Sequence, residues 1–227
     1  MAFYVIIMLP AILLTLWAAF SVKSNINKYL NVPTTNGYTG FDAAREILDK
    51  NGLKDVKIEM SRGMMSDYYD PSSRTLKLSK SVISKASIAS VGIAAHEAGH
   101  AIQDVRKYSP LVLRQALLPI TQISSWAFNI LIIVGIVFAG FFKFLGLIKI
   151  AIIFLIITVI FSIITLPVEF NASRRAKEML TKYNIITNNE KYGVSKVLNA
   201  AAMTYVAAAV SSVMTLIYFL FGIRSDD

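Results

Sequence analysis

Residues 145–166, LGLIKIAIIFLIITVIFSIITL, carry a single charge, Lys149. A helix of this length rises about 1.5 Å per residue and crosses roughly 30 Å of hydrocarbon. Lys149 lies close enough to one end to extend its ammonium towards lipid headgroups. Immediately upstream, residues 117–142 read LLPITQISSWAFNILIIVGIVFAGFF, again without a charge. Only a tight connection around Lys143 separates the two, which predicts an antiparallel helical hairpin in the membrane. Two further apolar runs complete the set, at 3–22 and 200–222. The first half of 200–222 is rich in alanine and serine, as expected of a face packed against another helix. The fold expected is therefore an α-helical membrane protein with about four transmembrane helices.

The composition agrees. Of 227 residues, 55% are hydrophobic and 16% charged, with a positive mean hydropathy. The run at 3–22 reads as a retained anchor: no basic segment precedes it and no A-x-A cleavage site follows. With no cysteine present, disulfides, thiolate ligands and cysteine nucleophiles are excluded. The net charge of +9 belongs to lysines and arginines that flank apolar spans and face anionic lipid. No dense basic patch interleaved with aromatics accompanies it, so a nucleic-acid partner is not expected. Neither internal repeats nor a low-complexity tail is present.

The distribution of positive charge predicts orientation. Fourteen Lys or Arg lie in residues 23–115 and six in 167–199, leaving only Lys143, Lys149 and Arg224 elsewhere. Both regions belong on the cytoplasmic face, with both termini outside.

Residues 23–115 carry the pattern of a small α+β domain. Asn31 to Tyr38, with Pro33 and Gly37, reads as a loop. Thr39 caps a helix through Lys50 whose apolar face is Phe41, Ala44, Ile47 and Leu48. Asn51-Gly52 ends it. Val56, Ile58 and Met60 alternate with Lys57 and Glu59, the period of a half-buried strand. The turn-like Asp70-Pro71-Ser72-Ser73 precedes a second strand near 75–78, with Tyr68-Tyr69 as its hairpin partner. An exposed edge of the strand at 74–78 is expected to align an extended peptide by β-addition. From Ser87 to Asp104 the sequence reads as helix.

That helix contains Ala95-His96-Glu97-Ala98-Gly99-His100-Ala101, an H-E-x-x-H motif. Positions four apart share one helix face, so the two imidazoles can converge on one metal. Glu97 is rotated away from the pair and is placed to act as a proton carrier for an attacking water. His96 and His100 are the only histidines in the chain. The neighbouring alanines and Gly99 permit close packing. Gly99 also lowers helix propensity by about 1 kcal/mol relative to alanine, which makes sense if something must approach closely there.

A catalytic zinc site normally has three protein ligands, and a third histidine is not available. Asp104 is two helical turns beyond His96, roughly 12 Å along the axis, too far to share a metal. It either accepts a hydrogen bond from a histidine's outer nitrogen or sits on a solvated face. Glu169 is the better ligand. It lies just beyond the span at 145–166, where Pro167 marks the membrane exit. Two spans separate it from His100, so both fall on the same membrane face. Residues 168–182 are then expected to form a second active-site helix, bearing Arg174, Arg175 and Lys177.

The stretches GIAAHEAGHAIQ at 92–103 and PVEFNASRRA at 167–176 closely resemble bacterial membrane proteins known as neutral zinc metallopeptidases, relatives of the M48-like gluzincins. The resemblance extends to TGFDAAREIL at 39–48 and YDPSSRTLKLS at 69–79. It implies a zincin-like catalytic region at the cytoplasmic surface of a bacterial cell membrane and a zinc ion held by His96, His100 and Glu169. Glu97 would be the catalytic glutamate. Ser173 departs from the pattern, standing where many M48 enzymes have aspartate.

The activity expected is hydrolysis of peptide or membrane-protein substrates by a membrane-bound metalloendopeptidase, in membrane-protein quality control. Tyr68, Tyr69, Tyr183, Tyr192, Arg174 and Arg175 are candidates for stabilising the oxyanion. Cleavage inside the bilayer is disfavoured, because Lys80, Ser81, Ser84, Lys85, Ser87 and Ser90 make the approach to the motif too polar. A transporter is disfavoured by the lack of paired charges and broken helices in the spans. A zinc-stabilised, non-catalytic membrane scaffold is the competing reading, although a structural zinc site has no need of the carboxylate of Glu97.

Overall fold

A computed structural model describes residues 2–63, 66–142 and 146–224. It contains seven helices and three strands among these residues: α1 (Ala2–Tyr29), α2 (Gly40–Lys50), β1 (Lys57–Met60), β2 (Tyr68–Asp70), β3 (Thr75–Leu78), α3 (Lys80–Ser84), α4 (Ile88–Val105), α5 (Ser109–Phe142), α6 (Gly146–Lys182) and α7 (Lys191–Arg224). Four helices are long and apolar enough to cross a membrane, within Val5–Tyr29, Ser109–Phe138, Gly146–Lys182 and Lys191–Phe221. They contain most of the four apolar runs read from the sequence. The connection expected around Lys143 lies outside the described residues.

The chain divides into two compact units. The first comprises Met1–Trp17, Val112–Pro167 and Tyr205–Asp227. Its outward side chains are apolar, among them Ile6, Leu13, Trp126, Ile133 and Ile153, as a lipid-facing surface requires. Small and hydroxylated residues mark its helix contacts. Thr15 and Ser211 hydroxyls meet at 3.2 Å, and those of Ser125 and Thr158 at 3.4 Å. Ala207 and Ala209 are buried, in line with the small-residue face expected of α7.

The second unit comprises Ala18–Leu111 and Val168–Thr204. Its α2 begins with a capping box: the Thr39 hydroxyl accepts from Asp42 N–H, and the Asp42 carboxylate accepts from Thr39 N–H. The helix buries Ala43, Ala44, Ile47 and Leu48 and ends at Asn51, with Gly52 at φ +78°. Arg45 then ties the exit turn by donating to the carbonyls of Val56 and Leu53.

The sheet has the order β1-β3-β2, with β1 parallel and β2 antiparallel to β3. Tyr68-Tyr69 is thus the hairpin partner of β3, as expected. The connecting turn is set by Asp70, whose carboxylate accepts from Ser72 N–H and from the Ser72 and Ser73 hydroxyls. These donors hold its pKa down at about 2.

One expectation is corrected here. β3 is the central strand, paired on both sides, so 74–78 offers no free edge. Thr75, Leu76 and Leu78 are buried, and burial on both faces goes with a central position. β1 differs in degree from the half-buried strand expected: Val56 is buried just before it, Ile58 is partly buried, and Met60 is 57% exposed.

Pro167, read from the sequence as marking the membrane exit, is not a helix boundary. It lies inside α6, which runs unbroken from Gly146 to Lys182. The expected active-site helix at 168–182 is therefore the end of this longer helix. A proline forfeits one intrahelical hydrogen bond and kinks a helix more readily than it ends one when packing supports both sides.

Candidate metal centre

Helix α4 starts at Ser87, whose hydroxyl accepts from Ser90 N–H. Its core face consists of small residues: Ala94, Ala95, Ala98 and Ala101 are all fully buried. This lets the last part of α6 come close. A Cβ added at Gly99 would lie 3.0 Å from the Ala172 carbonyl oxygen and 3.3 Å from its Cα. The glycine in the motif is thus the point where α4 and α6 nearly touch, which accounts for its unfavourable helix propensity.

That contact places Glu169 beside the two histidines. His96 Nε2 is 3.2 Å from Glu169 Oε2, His100 Nε2 is 3.5 Å from the same oxygen, and the two Nε2 atoms are 3.1 Å apart. His96, His100 and Glu169 form a cluster suited to a metal ion. A tetrahedral zinc with bonds of about 2.0–2.1 Å requires ligand atoms about 3.3 Å apart, so this triangle fits one face of the tetrahedron. The histidine side chains are 13% exposed and Glu169 3% exposed, so the cluster is largely buried with its least covered side at the histidines.

The outer nitrogens are also engaged. His96 Nδ1 is 3.1 Å from Ser173 Oγ, and His100 Nδ1 is 3.0 Å from Gln103 Oε1. Ser173 thus lies against the outer nitrogen of His96. Asp104 has neither role considered for it: it accepts from the Tyr69 hydroxyl at 3.2 Å. Burial and the negative charge of Asp104 push the Tyr69 phenol up to about 12. Gln103 was missed in the sequence reading. Its signal is position, since it stands three residues after His100 on the same helix face.

Glu97 is buried and lies outside the ligand triangle. Among the described residues it makes no hydrogen bond. Burial raises its carboxyl pKa, with the positive potential of His96 and His100 opposing the shift.

Several of the candidate oxyanion partners have contacts of their own. Arg175 donates to Asn171 Oδ1 at 2.7 Å, Arg174 lies 3.9 Å from Glu178, and the Tyr183 hydroxyl accepts from Asn51. Tyr68 and Tyr192 are exposed.

The chain matches, over residues 4–224, the family described as "Putative neutral zinc metallopeptidase". It belongs to that family. A Bacillus subtilis (strain 168) protein named "Putative membrane protease YugP" is 44% identical over 217 residues, covering 96% of this chain and 95% of that protein. No solved structure matches the chain. Family membership implies zinc, and the donor set suits it: two imidazoles and one carboxylate with no thiolate are a common catalytic zinc environment.

Proposed function

We infer that the protein is a membrane-bound zinc endopeptidase of the gluzincin type, with His96, His100 and Glu169 as ligands and Glu97 as the catalytic carboxylate. The observation that carries this reading is the triangle of ligand atoms beside the carboxylate of Glu97, which makes no hydrogen bond among the described residues. A structural zinc site has no use for that second carboxylate, which weighs against a non-catalytic scaffold. Family membership and the printed name of the Bacillus relative, a membrane protease, support the same reading.

Zinc held by His96, His100 and Glu169 would supply a Lewis acid that lowers the pKa of water and polarises a carbonyl. The chain supplies the proton carrier. Glu97, kept basic by burial, takes a proton from the attacking water and gives it to the departing amine. Ser173 and Gln103 hold the imidazoles in place from behind. An extended substrate adds to the open side of β2, because β2 pairs only with β3 among the described residues, and Tyr69 ties that strand to α4 through Asp104.

The location proposed is the cytoplasmic surface of the membrane. Glu169 follows the apolar run at 145–166 by three residues, so the substrates reached are tails and loops of membrane proteins, as quality control demands. The test is zinc content and cleavage of an unfolded reporter polypeptide by the detergent-purified protein. About one zinc per chain and cleavage abolished by a chelator and restored by zinc are expected. Cleavage indifferent to chelation would contradict the reading.

A further inference from the structure

Gln103 is completely buried, and its carboxamide touches both ligand-bearing helices. Which end of a buried amide is nitrogen and which is oxygen is decided by its neighbours. One end lies 2.8 Å from the Val168 carbonyl oxygen, which can only accept, so this end is the NH2 group. The same nitrogen lies 3.0 Å from Asn171 Oδ1. The identity of that oxygen is fixed in turn by Arg175 Nε, which can only donate and lies 2.7 Å away. The other end of the Gln103 amide is therefore Oε1, an acceptor, and it faces His100 Nδ1 at 3.0 Å. His100 must carry its proton on Nδ1 to satisfy it. In the neutral ring, the form that binds a metal, that leaves the lone pair of Nε2 directed towards His96 Nε2 and Glu169 Oε2.

Two one-way groups, a backbone carbonyl and a guanidinium, thus determine the orientation of the whole chain Arg175–Asn171–Gln103–His100. We propose that Gln103 is a positioning residue that sets the protonated nitrogen and ring orientation of His100 while holding α4 against the turn of α6 that carries Glu169. The proposal rests on the reading of His96, His100 and Glu169 as zinc ligands. Its physical content is that one buried amide fixes two ligands from different helices. Val168 and Asn171 flank Glu169 in the sequence, so a shift of the amide moves both arms of the metal triangle. Outer partners of this kind change metal affinity by about 10–100-fold.

The chain has two histidines, so long-range proton–nitrogen NMR of the imidazoles in the full-length, detergent-purified protein yields four ring-nitrogen signals. In the wild type loaded with Zn2+, His100 is expected to ligate through Nε2 and to retain a slowly exchanging proton on Nδ1. That Nδ1 proton is expected in the metal-free protein too. In Gln103→Met, similar in length but unable to form these hydrogen bonds, the His100 Nδ1 proton should exchange about tenfold faster or more. The Zn2+ Kd, measured by chelator competition, should weaken about 10–100-fold. Ser173→Ala should disturb the His96 Nδ1 signal and leave that of His100 in place.

Ligation of His100 through Nδ1, or an unchanged Kd and exchange rate in a folded Gln103→Met, overturns the proposal. The wild-type spectrum decides even if Gln103→Met does not fold. Failure of the wild type to bind Zn2+ would overturn the ligand reading instead, and the metal-free Nδ1 proton would still report on the Gln103 contact.

Discussion

Glu169 Oε2 lies 3.2 Å from His96 Nε2 although 73 positions separate the two residues in the sequence. The pair joins α4 to the α6 helix that also contains an apolar, membrane-length run. The predicted consequence is that Glu169→Ala loses zinc far more severely than Ser173→Ala. The Ser173 hydroxyl meets the outer nitrogen of His96 and not a ligand atom, and its loss should weaken affinity by about 10–100-fold. Chelator competition measures both. Full zinc affinity in Glu169→Ala would remove it from the ligand set.

Gly99→Ala should be destabilising although alanine gains about 1 kcal/mol of helix propensity over glycine. The added methyl meets backbone atoms of Ala172 at 3.0 and 3.3 Å, and backbone cannot rotate aside as a side chain does. The two helices must part by a few tenths of an ångström. Lower apparent Tm and weaker zinc binding are expected together. A more stable variant with unaltered affinity would show that the helix contact is not tight.

Glu190 pins the loop before α2 to the turn before α7. Its Oε1 accepts from Thr35 N–H and hydroxyl, and its Oε2 from Thr187 N–H and hydroxyl. Burial alone would raise its pKa, but these donors outweigh burial and hold it below the ordinary 4.5. A depressed carboxylate contributes stability above its unfolded pKa and loses it as pH falls through the folded value. Glu190→Ala should destabilise by about 2–4 kcal/mol near neutrality. The difference in apparent Tm between wild type and Glu190→Gln should shrink on acidification below the ordinary carboxylate pKa. A difference that grows on acidification would reverse the assignment.

The chain has no cysteine, so single introduced cysteines report topology without background. Lys54 and Asn188 are exposed, and both belong to regions assigned to the cytoplasmic face. Lys54→Cys and Asn188→Cys should resist a membrane-impermeant maleimide in intact cells and react after permeabilisation. Labelling of either from outside would invert the orientation.

Much of this architecture is legible because its causes are local. Apolar run length sets the membrane-length helices, Thr39 sets the start of α2, and the Asp70 turn sets the β2–β3 hairpin. His96 and His100 are legible for the same reason, being four residues apart on one helix. The strand order is not legible. Whether 75–78 lies at an edge depends on the return of the earlier segment 57–60 as a parallel neighbour, a long-range pairing that no turn residue announces. That Pro167 sits inside one continuous helix is not legible either, since proline locally disfavours a helix interior. Gln103 carries no warning, since its importance arises from Val168 and Asn171, 65 and 68 positions away.

The most direct test of the account is peptide cleavage by Glu97→Gln compared with wild type, with zinc content measured on the same samples. Glutamine preserves shape and leaves the ligand triangle untouched but cannot carry the proton. The account predicts full zinc occupancy with cleavage reduced by about 10²–10⁴-fold. Unchanged cleavage by zinc-loaded Glu97→Gln would contradict it.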